Sequence, residues 1–265
     1  MIVPCFNNAS TLATCLNSIN AQDLRPRLRV IVIDNGSTDD SVEIARRLAD
    51  EVALENAPGS AAARNKGVFT AQTEYCLSID ADCWPTDDHW AGRHLAALQT
   101  VDTAFIATAG QIIAAPTAGY WEQRLDVTPH PVFSGSEPLY AVTANACFRT
   151  ELLRQLGGFP QYQAEDAAFG RLSRGRGFRF LWVPDAKVFH RNPRGLRGYY
   201  RQMRKIGLYV AELEGRPRSR VRFLGARFRD LLANAKWLAR RNPAEAMAGA
   251  VRVVAQTEGA LRYWG

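Results

Sequence analysis

Several acidic clusters stand out, because carboxylates at these spacings could hold a cation, fix a polar ligand or move a proton. Asp80-x-Asp82 follows the apolar run 75–79 and sets two carboxylates just beyond it. Hard divalent cations take oxygen ligands, and magnesium commonly uses one or two carboxylates together with phosphate oxygens. A cation held there would neutralise a diphosphate. The plainer use of such residues is a solvated acidic loop, and Asp87-Asp88 reads that way, as a cap for a helix over 90–98. Glu165-Asp166 opens a helical pattern after a Gly157-Gly158 loop that also carries Tyr162. Like charges side by side raise one pKa when shielded from water, which suits a general base. The same pair could instead complement a helix dipole. Asp34 ends the apolar run 30–34 and precedes Asn35-Gly36-Ser37, a turn signal. His190 follows another such run; a neutral imidazole can ligate a metal, and a protonated one can stabilise a diphosphate. His89, His94 and His130 have no comparable context.

The elements that would position these groups alternate through the first half of the chain. Strands are expected over 1–4, 30–34, 52–54 and 75–79. Helices are expected over 11–20, with Ser10 as a cap and Leu12, Cys15, Leu16 and Ile19 on one face, then through Leu48 and over 60–71. Such a series implies an α/β fold with a mostly parallel sheet covered on both faces. Open sheets of this kind bind ligands at the carboxyl ends of their strands. Asn7-Asn8, Asp34 to Ser37 and Asp80 to Asp82 all fall at such ends. Further strands are expected over 104–113, 141–149, 178–183 and 187–190, with short helices over 151–156 and 165–174. The stretch 116–138 reads as a long irregular loop, a length that usually signals function or mobility. From Arg194 onward the pattern is helical.

These residues resemble the family-2 glycosyltransferases of GT-A fold. The resemblance rests on Val3-Pro4-Cys5-Phe6-Asn7-Asn8, Val32-Ile33-Asp34-Asn35-Gly36-Ser37-Thr38-Asp39, Ala63-Arg64-Asn65-x-Gly67 and Asp80-Ala81-Asp82, in that order, and covers about residues 1–193. It implies an inverting, metal-dependent, hexosyltransferase-type enzyme that moves a sugar from a nucleotide diphosphate-sugar to an acceptor hydroxyl. Pro4 and Phe6 would shape the base pocket. Asp34 would bind base and ribose, Arg64 would approach the base or diphosphate, Asp80 the ribose, and Asp82 the metal, Mg or Mn. The chemistry is apt, since carboxylates accept from imide N–H and ribose hydroxyls, and arginine suits phosphate oxygens. In similar enzymes a histidine near His190 reaches the metal or the diphosphate. The second member of the acidic pair supplies the base in this family, which implies Asp166, with Glu165 orienting the acceptor or the base. By the same analogy Asn145 borders the acceptor. Trp121 and Tyr162 could stack on a sugar face, although aromatics of this kind more often pack a core.

Charge divides the chain. The whole carries +7, but 194–241 holds 14 Lys and Arg against three acidic residues, a local net of +11, which leaves the remainder near −4. Residues 194–265 are therefore expected to form a basic, amphipathic helical extension after a catalytic domain over 1–193. Leu196, Tyr199, Tyr200, Met203, Ile206 and Val210 keep helical spacing among arginines, and Val221, Leu224, Phe228, Leu231, Leu232, Ala235 and Leu238 repeat the pattern. Basic amphipathic helices bind anionic membrane surfaces, which would bring the enzyme near a lipid-linked or cell-envelope glycan. The alternative is helices packed on the catalytic domain. A basic tail can also meet nucleic acid, but the chain lacks a recognisable nucleic-acid module.

Composition sets the remaining limits. Hydrophobic residues make up 47% of 265, enough for a sizeable core. The five cysteines are odd in number and lack C-x-x-C spacing, so reduced, core-filling thiols are expected. Neither a secretory signal nor a run of about 18 apolar residues is evident. A cytoplasmic protein, peripheral on the inner face of the membrane, is the expectation. The Gln-x-x-Arg-Trp element of processive relatives is not matched at Gln202. Two rival classes remain, a sugar-1-phosphate nucleotidyltransferase and an inactive membrane-associated scaffold. The usual glycine-rich N-terminal loop of the first is absent, and the intact acidic set speaks against the second.

Overall fold

The computed structural model describes residues 1–125, 133–162, 164–192, 195–214, 223–229 and 243–264. These form two compact units. One comprises 1–116 with 133–191, and the other 117–125 with the described residues from 192 onward.

In the first unit, strands β1 (Ile2–Cys5), β2 (Ile31–Asp34), β3 (Glu51–Leu54) and β4 (Tyr75–Ile79) form a parallel half-sheet in the order β3-β2-β1-β4. The sheet continues through β9 (Asn145–Arg149), β6 (Phe105–Ala114), β10 (Arg179–His190) and β5 (Cys83–Pro85). β9 runs antiparallel between β4 and β6, β10 is parallel to β6, and β5 is antiparallel to β10 at the edge. Helices α1 (Ala9–Asn20), α2 (Ser41–Leu48), α3 (Ser60–Thr70), α4 (Trp90–Gln99), α6 (Thr150–Gln155) and α7 (Glu165–Gly175) cover the faces. A short hairpin, β7 (Phe133–Ser134) with β8 (Glu137–Pro138), stands apart from the sheet.

The two-residue period of a strand explains why both faces are covered. Val3, Cys5, Val30 and Val32 pack with Leu12, Cys15, Leu16 and Ile19 of α1 and with Trp90 and Leu98 of α4. Their neighbours Ile2, Ile31 and Ile33 point the other way, toward Ala61, Ala63 and Val68 of α3, Leu153 of α6 and Phe169 of α7. α3 lies so close to β1 that a Cβ on Gly67 would come within 2.7 Å of the Ile2 side chain. All five cysteines are buried and none forms a disulfide.

The structure revises several expected elements. Helix α1 starts at Ala9 after Asn8, so Ser10 lies in its first turn and does not cap it. The strand expected from 141 begins at Asn145, because 142–145 turns, with Asn145 N donating to Val142 O. The segments 178–183 and 187–190 are one strand, β10, whose register shifts between Val183 and Lys187. Strand β5 is not foreseen in the sequence because it is three residues long and ends in proline, which cannot donate to a ladder. The stretch 116–138 contains a short helix and the hairpin as well as residues outside the description.

Asn145 stands at the centre of a buried polar knot. Its Oδ1 accepts from Trp90 Nε1 and His94 Nε2, both at 2.8 Å, and its Nδ2 donates to the carbonyls of Gln111 (2.8 Å) and Ala186 (2.9 Å). His94 Nδ1 then accepts from Thr108 Oγ1 at 2.8 Å, which fixes the neutral Nε2–H tautomer. Burial pushes the His94 pKa down to about 4, so the ring stays neutral. One side chain thus joins α4, β6, β9 and β10.

The second unit contains α5 (Tyr120–Gln123), α8 (Gly195–Glu214), α9 (223–229) and α10 (Pro243–Trp264). α8 and α10 cross almost backbone to backbone. A Cβ on Gly207 would lie 2.0 Å from Gln256 O, and one on Gly259 would lie 1.9 Å from Arg204 O. Trp121, Leu125, Tyr199, Met203 and Ala255 form a small apolar cluster beside that crossing. Much of the second amphipathic run, including Val221, Leu231, Leu232, Ala235 and Leu238, lies outside the described residues. Among the described residues no helix is long and apolar enough to cross a membrane.

Replacing Asn145 by alanine leaves two buried donors and two carbonyls unpaired. We expect Asn145→Ala to lose at least about 3 kcal/mol in urea unfolding. A loss near zero would show that the knot contributes nothing to stability.

Candidate active site

The carboxyl ends of β1, β2 and β4 lie side by side, and the loops leaving them are bound to one another. Asn7 adopts a positive φ of 53°, tolerable for asparagine. Its Oδ1 accepts from Thr38 N at 2.8 Å, and its own N–H donates to Ser37 Oγ at 2.9 Å. Asn8 N donates to Ser41 Oγ (2.8 Å) and Ala9 N to Asp39 Oδ2 (3.0 Å). Asn35 ties the next loop, donating to Glu55 O and Ala57 O and accepting from Gly59 N. Asn65 exchanges hydrogen bonds with the Phe159 backbone, joining α3 to the loop that leads toward α7.

These ties border a cleft of about 470 Å³. Pro4 and Cys5 line it from β1, Phe6 and Asn35 from just beyond β1 and β2, Pro58 and Gly59 from the loop before α3, and Ser60, Ala63 and Arg64 from α3 itself. Asp80, Ala81 and Asp82 close it. Phe6 is 58% exposed, an apolar ring offered to solvent at the rim. Asp34 is buried beside the cleft; its carboxylate accepts from the N–H groups of Gly36 (3.1 Å) and Ser37 (3.2 Å). A carboxylate has about four acceptor sites, so this turn does not exhaust it.

Arg64 is 3% exposed and pairs with two carboxylates, Glu165 through Nη1 and Asp80 through Nη2, while its buried Nε has no hydrogen-bond partner among the described residues. Burial works against its charge, but Asp80 and Glu165 outweigh this and hold its pKa above the ordinary value. The resemblance implied that Arg64 approaches the donor; in the structure both terminal nitrogens serve protein carboxylates. Glu165 is buried as well and also accepts from Thr143 Oγ1 at 3.1 Å. Thr143 belongs to no motif, and only the tertiary structure reveals it.

Asp166 follows Glu165 in the first turn of α7. Burial, reinforced by the Glu165 charge, raises its pKa to about 7. Asp80 is also raised, by burial first and then against the opposing pull of Arg64. Asp82 behaves differently: burial would raise it, but the hydrogen bond and charge of His190 hold it below the usual range. His190 Nε2 lies 3.6 Å from Asp82 Oδ2. Ligand atoms of Asp82, Cys83 and His190 all fall within 4.8 Å of one another, the one such set among the described residues. The donors and their spacing fit a divalent cation.

On the acceptor side the expectations fare unevenly. Tyr162 is 46% exposed just before α7. Asn145 is fully buried with both ends of its amide engaged, so the structure corrects its assignment from acceptor contact to core polar residue. Trp121 belongs to the second unit, where its ring packs 5.4 Å from that of Tyr199 and so has a packing partner.

Similar relatives include the glycosyltransferase AglE of Haloferax volcanii, 28% identical over 61% of this chain and 56% of the relative. An N-acetylglucosaminyltransferase of Bradyrhizobium diazoefficiens is also 28% identical, over 76% of this chain and 46% of the relative. The chain thus spans about half the length of these curated relatives. Among solved structures, the mannosyltransferase PcManGT from Pyrobaculum calidifontis, in complex with GDP-Man and Mn2+, has a TM-score of 0.74 at 21% identity, covering 99% of this chain and 86% of that one. Glucosyl-3-phosphoglycerate synthase from Mycobacterium tuberculosis, with Mg2+ and UDP, has a TM-score of 0.57 at 19% identity, covering 82% and 79%. At such identities these likenesses show the fold, which is that of GT-A glycosyltransferases. The model for glycosyl transferase family 2 matches residues 1–169, a span that runs from the Pro4 rim of the cleft through Asp166. With that match over more than half its length, the chain belongs to the family-2 glycosyltransferases.

Proposed function

We propose that this glycosyltransferase is an inverting, metal-dependent hexosyltransferase that transfers a sugar from a nucleotide diphosphate-sugar to an acceptor hydroxyl. The observation that carries the reading is the joining of distant acidic residues at one cleft: Arg64 links Asp80 directly to Glu165, next to Asp166, while Asp82 lines the same cleft. The donors bound by solved relatives, GDP-Man in one and the nucleotide UDP in another, support a nucleotide-sugar donor here.

In this reading Pro4 and Phe6 pack the base, with Asp34 and Asp80 accepting from base and ribose. Asp82 and His190 hold Mg or Mn, which supplies charge neutralisation for the diphosphate. Asp166 takes the acceptor proton as the hydroxyl attacks the anomeric carbon from the face opposite the diphosphate. Glu165 touches neither partner. Held by Arg64 and Thr143, it fixes the start of α7 and keeps the Asp166 pKa high. Tyr162 is the acceptor-side aromatic. Positioning supplies much of the rate.

The proposal extends to the acceptor and its place. We assign 1–193 to the catalytic domain and 194–265 to a basic helical extension that meets the anionic inner face of a membrane, where lipid-linked or cell-envelope glycans are found. In support, Leu224, Phe228, Val254 and Tyr263 are exposed on α9 and α10, with Arg227 and Arg229 flanking Phe228 and Arg262 preceding Tyr263 in sequence. Apolar side chains flanked by arginines suit the headgroup region.

A thermal-shift panel of nucleotide sugars, with and without Mn2+, tests the donor reading. One sugar nucleotide should raise Tm in a concentration- and metal-dependent way. Release of pyrophosphate in place of a nucleoside diphosphate would overturn it. Asp166→Asn should lower kcat at least about a hundredfold with donor binding nearly unchanged; full turnover would remove Asp166 as the base. Asp82→Ala should weaken donor binding in calorimetry and abolish its metal dependence.

The acid limb of kcat/KM should follow Asp166. A base works only when deprotonated, so activity should fall as pH drops through about 7. Glu165→Gln removes the adjacent negative charge, lowers the Asp166 pKa and should move that limb to lower pH. A limb that stays in place would mean that burial alone holds the Asp166 pKa up or that another group titrates.

A further inference from the structure

The turn after β4 brings an unexpected donor to the cation site. Cys83 N donates to Asp80 O at 2.9 Å, closing a four-residue turn that sets the side chains of Asp82 and Cys83 next to one another. Cys83 then begins β5, where it stands directly opposite His190 in the antiparallel pair with β10. Residues paired in this way project to the same face of a sheet. The outcome is a compact triangle: Cys83 Sγ lies 3.8 Å from Asp82 Oδ1, and His190 Nε2 lies 3.6 Å from Asp82 Oδ2.

We propose that Cys83 is a third protein ligand of the divalent ion, beyond Asp82 and His190, and that it shifts the site's preference from magnesium toward thiolate-binding cations such as Co(II) and Zn(II). The inference rests on the metal-dependent reading above. Its first support is proximity: one ligand atom from each of Asp82, Cys83 and His190 lies within 4.8 Å of the others, near enough for small side-chain rotations to bring all three to bonds of about 2.0–2.3 Å around one tetrahedral ion. Its second is chemistry. Oxygen ligands suit magnesium, imidazole suits zinc and cobalt, and a thiolate strengthens that bias. Its third is selectivity within the chain. Cys5, Cys15, Cys76 and Cys147 are buried too, yet among the described residues Cys83 alone belongs to a set of three convergent ligand types. On binding, the S–H bond breaks, a sulfur–metal bond forms and the proton passes to solvent; no oxidant is needed.

Spectroscopy tests this without reference to turnover. Wild-type protein is titrated with Co(II) in the presence of UDP or GDP. A thiolate-to-Co(II) charge-transfer band in the near ultraviolet is expected, together with Co(II)-dependent nucleotide binding. Cys83→Ala and Cys83→Ser should lose the band and about ten- to a hundredfold in Co(II) affinity, while Mg(II) affinity changes little. Circular dichroism melting verifies that the variants fold, and the wild-type spectrum alone decides the matter if they do not. Co(II)-dependent nucleotide binding without the band, or a band that survives in Cys83→Ala, overturns the ligand assignment and leaves the donor reading intact. Wild-type protein that binds neither nucleotide with any divalent ion overturns both.

Discussion

The cleft depends on a buried cation held between two carboxylates. Arg64 is almost entirely removed from water, and an unpaired charge in that position would be prohibitively unfavourable. Asp80 at the end of β4 and Glu165 at the start of α7 supply the pairing. Strand β4 and the helix carrying Asp166 are therefore fixed to one another through a single side chain from α3. Losing Arg64 would leave two carboxylates without their shared partner, which makes the geometry of the cleft strict. The same arrangement bears on the electrostatics: burial raises the proton affinity of Asp166, and the charge of Glu165 held beside it adds to that rise.

Around that pairing, asparagines do much of the alignment. Asn7, Asn8, Asn35 and Asn65 all fall in stretches that resemble the family's sequence. Asn7, Asn35 and Asn65 have their side chains engaged with neighbouring loops, and Asn8 does the same through its backbone N–H. An amide can donate and accept at once, so one residue can satisfy two strands' worth of loop backbone. The loops at the sheet edge are thereby preorganised, and Pro4, Phe6 and Asp80 need not search for position when a ligand arrives. Asn145 applies the same chemistry inside the core, where it joins α4 to three strands.

The second unit is built on different terms. The contact of α8 with α10 depends on Gly207 and Gly259, which let two backbones approach to a distance no side chain permits. Tyr200 and Arg262 both engage Glu258, so part of the basic character of this unit is satisfied internally. The exposed apolar side chains of α9 and α10 are what that packing leaves outward.

By itself the amino-acid sequence determined the parallel half-sheet and the position of its polar ends. Continuous apolar runs such as Ile2–Val3 and Ile31–Val32–Ile33 suit strands buried on both faces, with Asp34 ending one such strand and Asp80 following another. Patterns of that kind are local, so they can be read residue by residue. Short or irregular elements such as β5 escaped, because three residues carry too little periodicity. Only the tertiary structure decided which polar residues meet. Arg64 and Glu165 are a hundred residues apart, Thr143 lies in no motif, Asn145 turned inward, and Cys83 faces His190 through a strand pairing invisible in the chain order. Convergence of that sort is set by how helices and strands pack, and packing is a property of the whole fold that no local run of residues encodes.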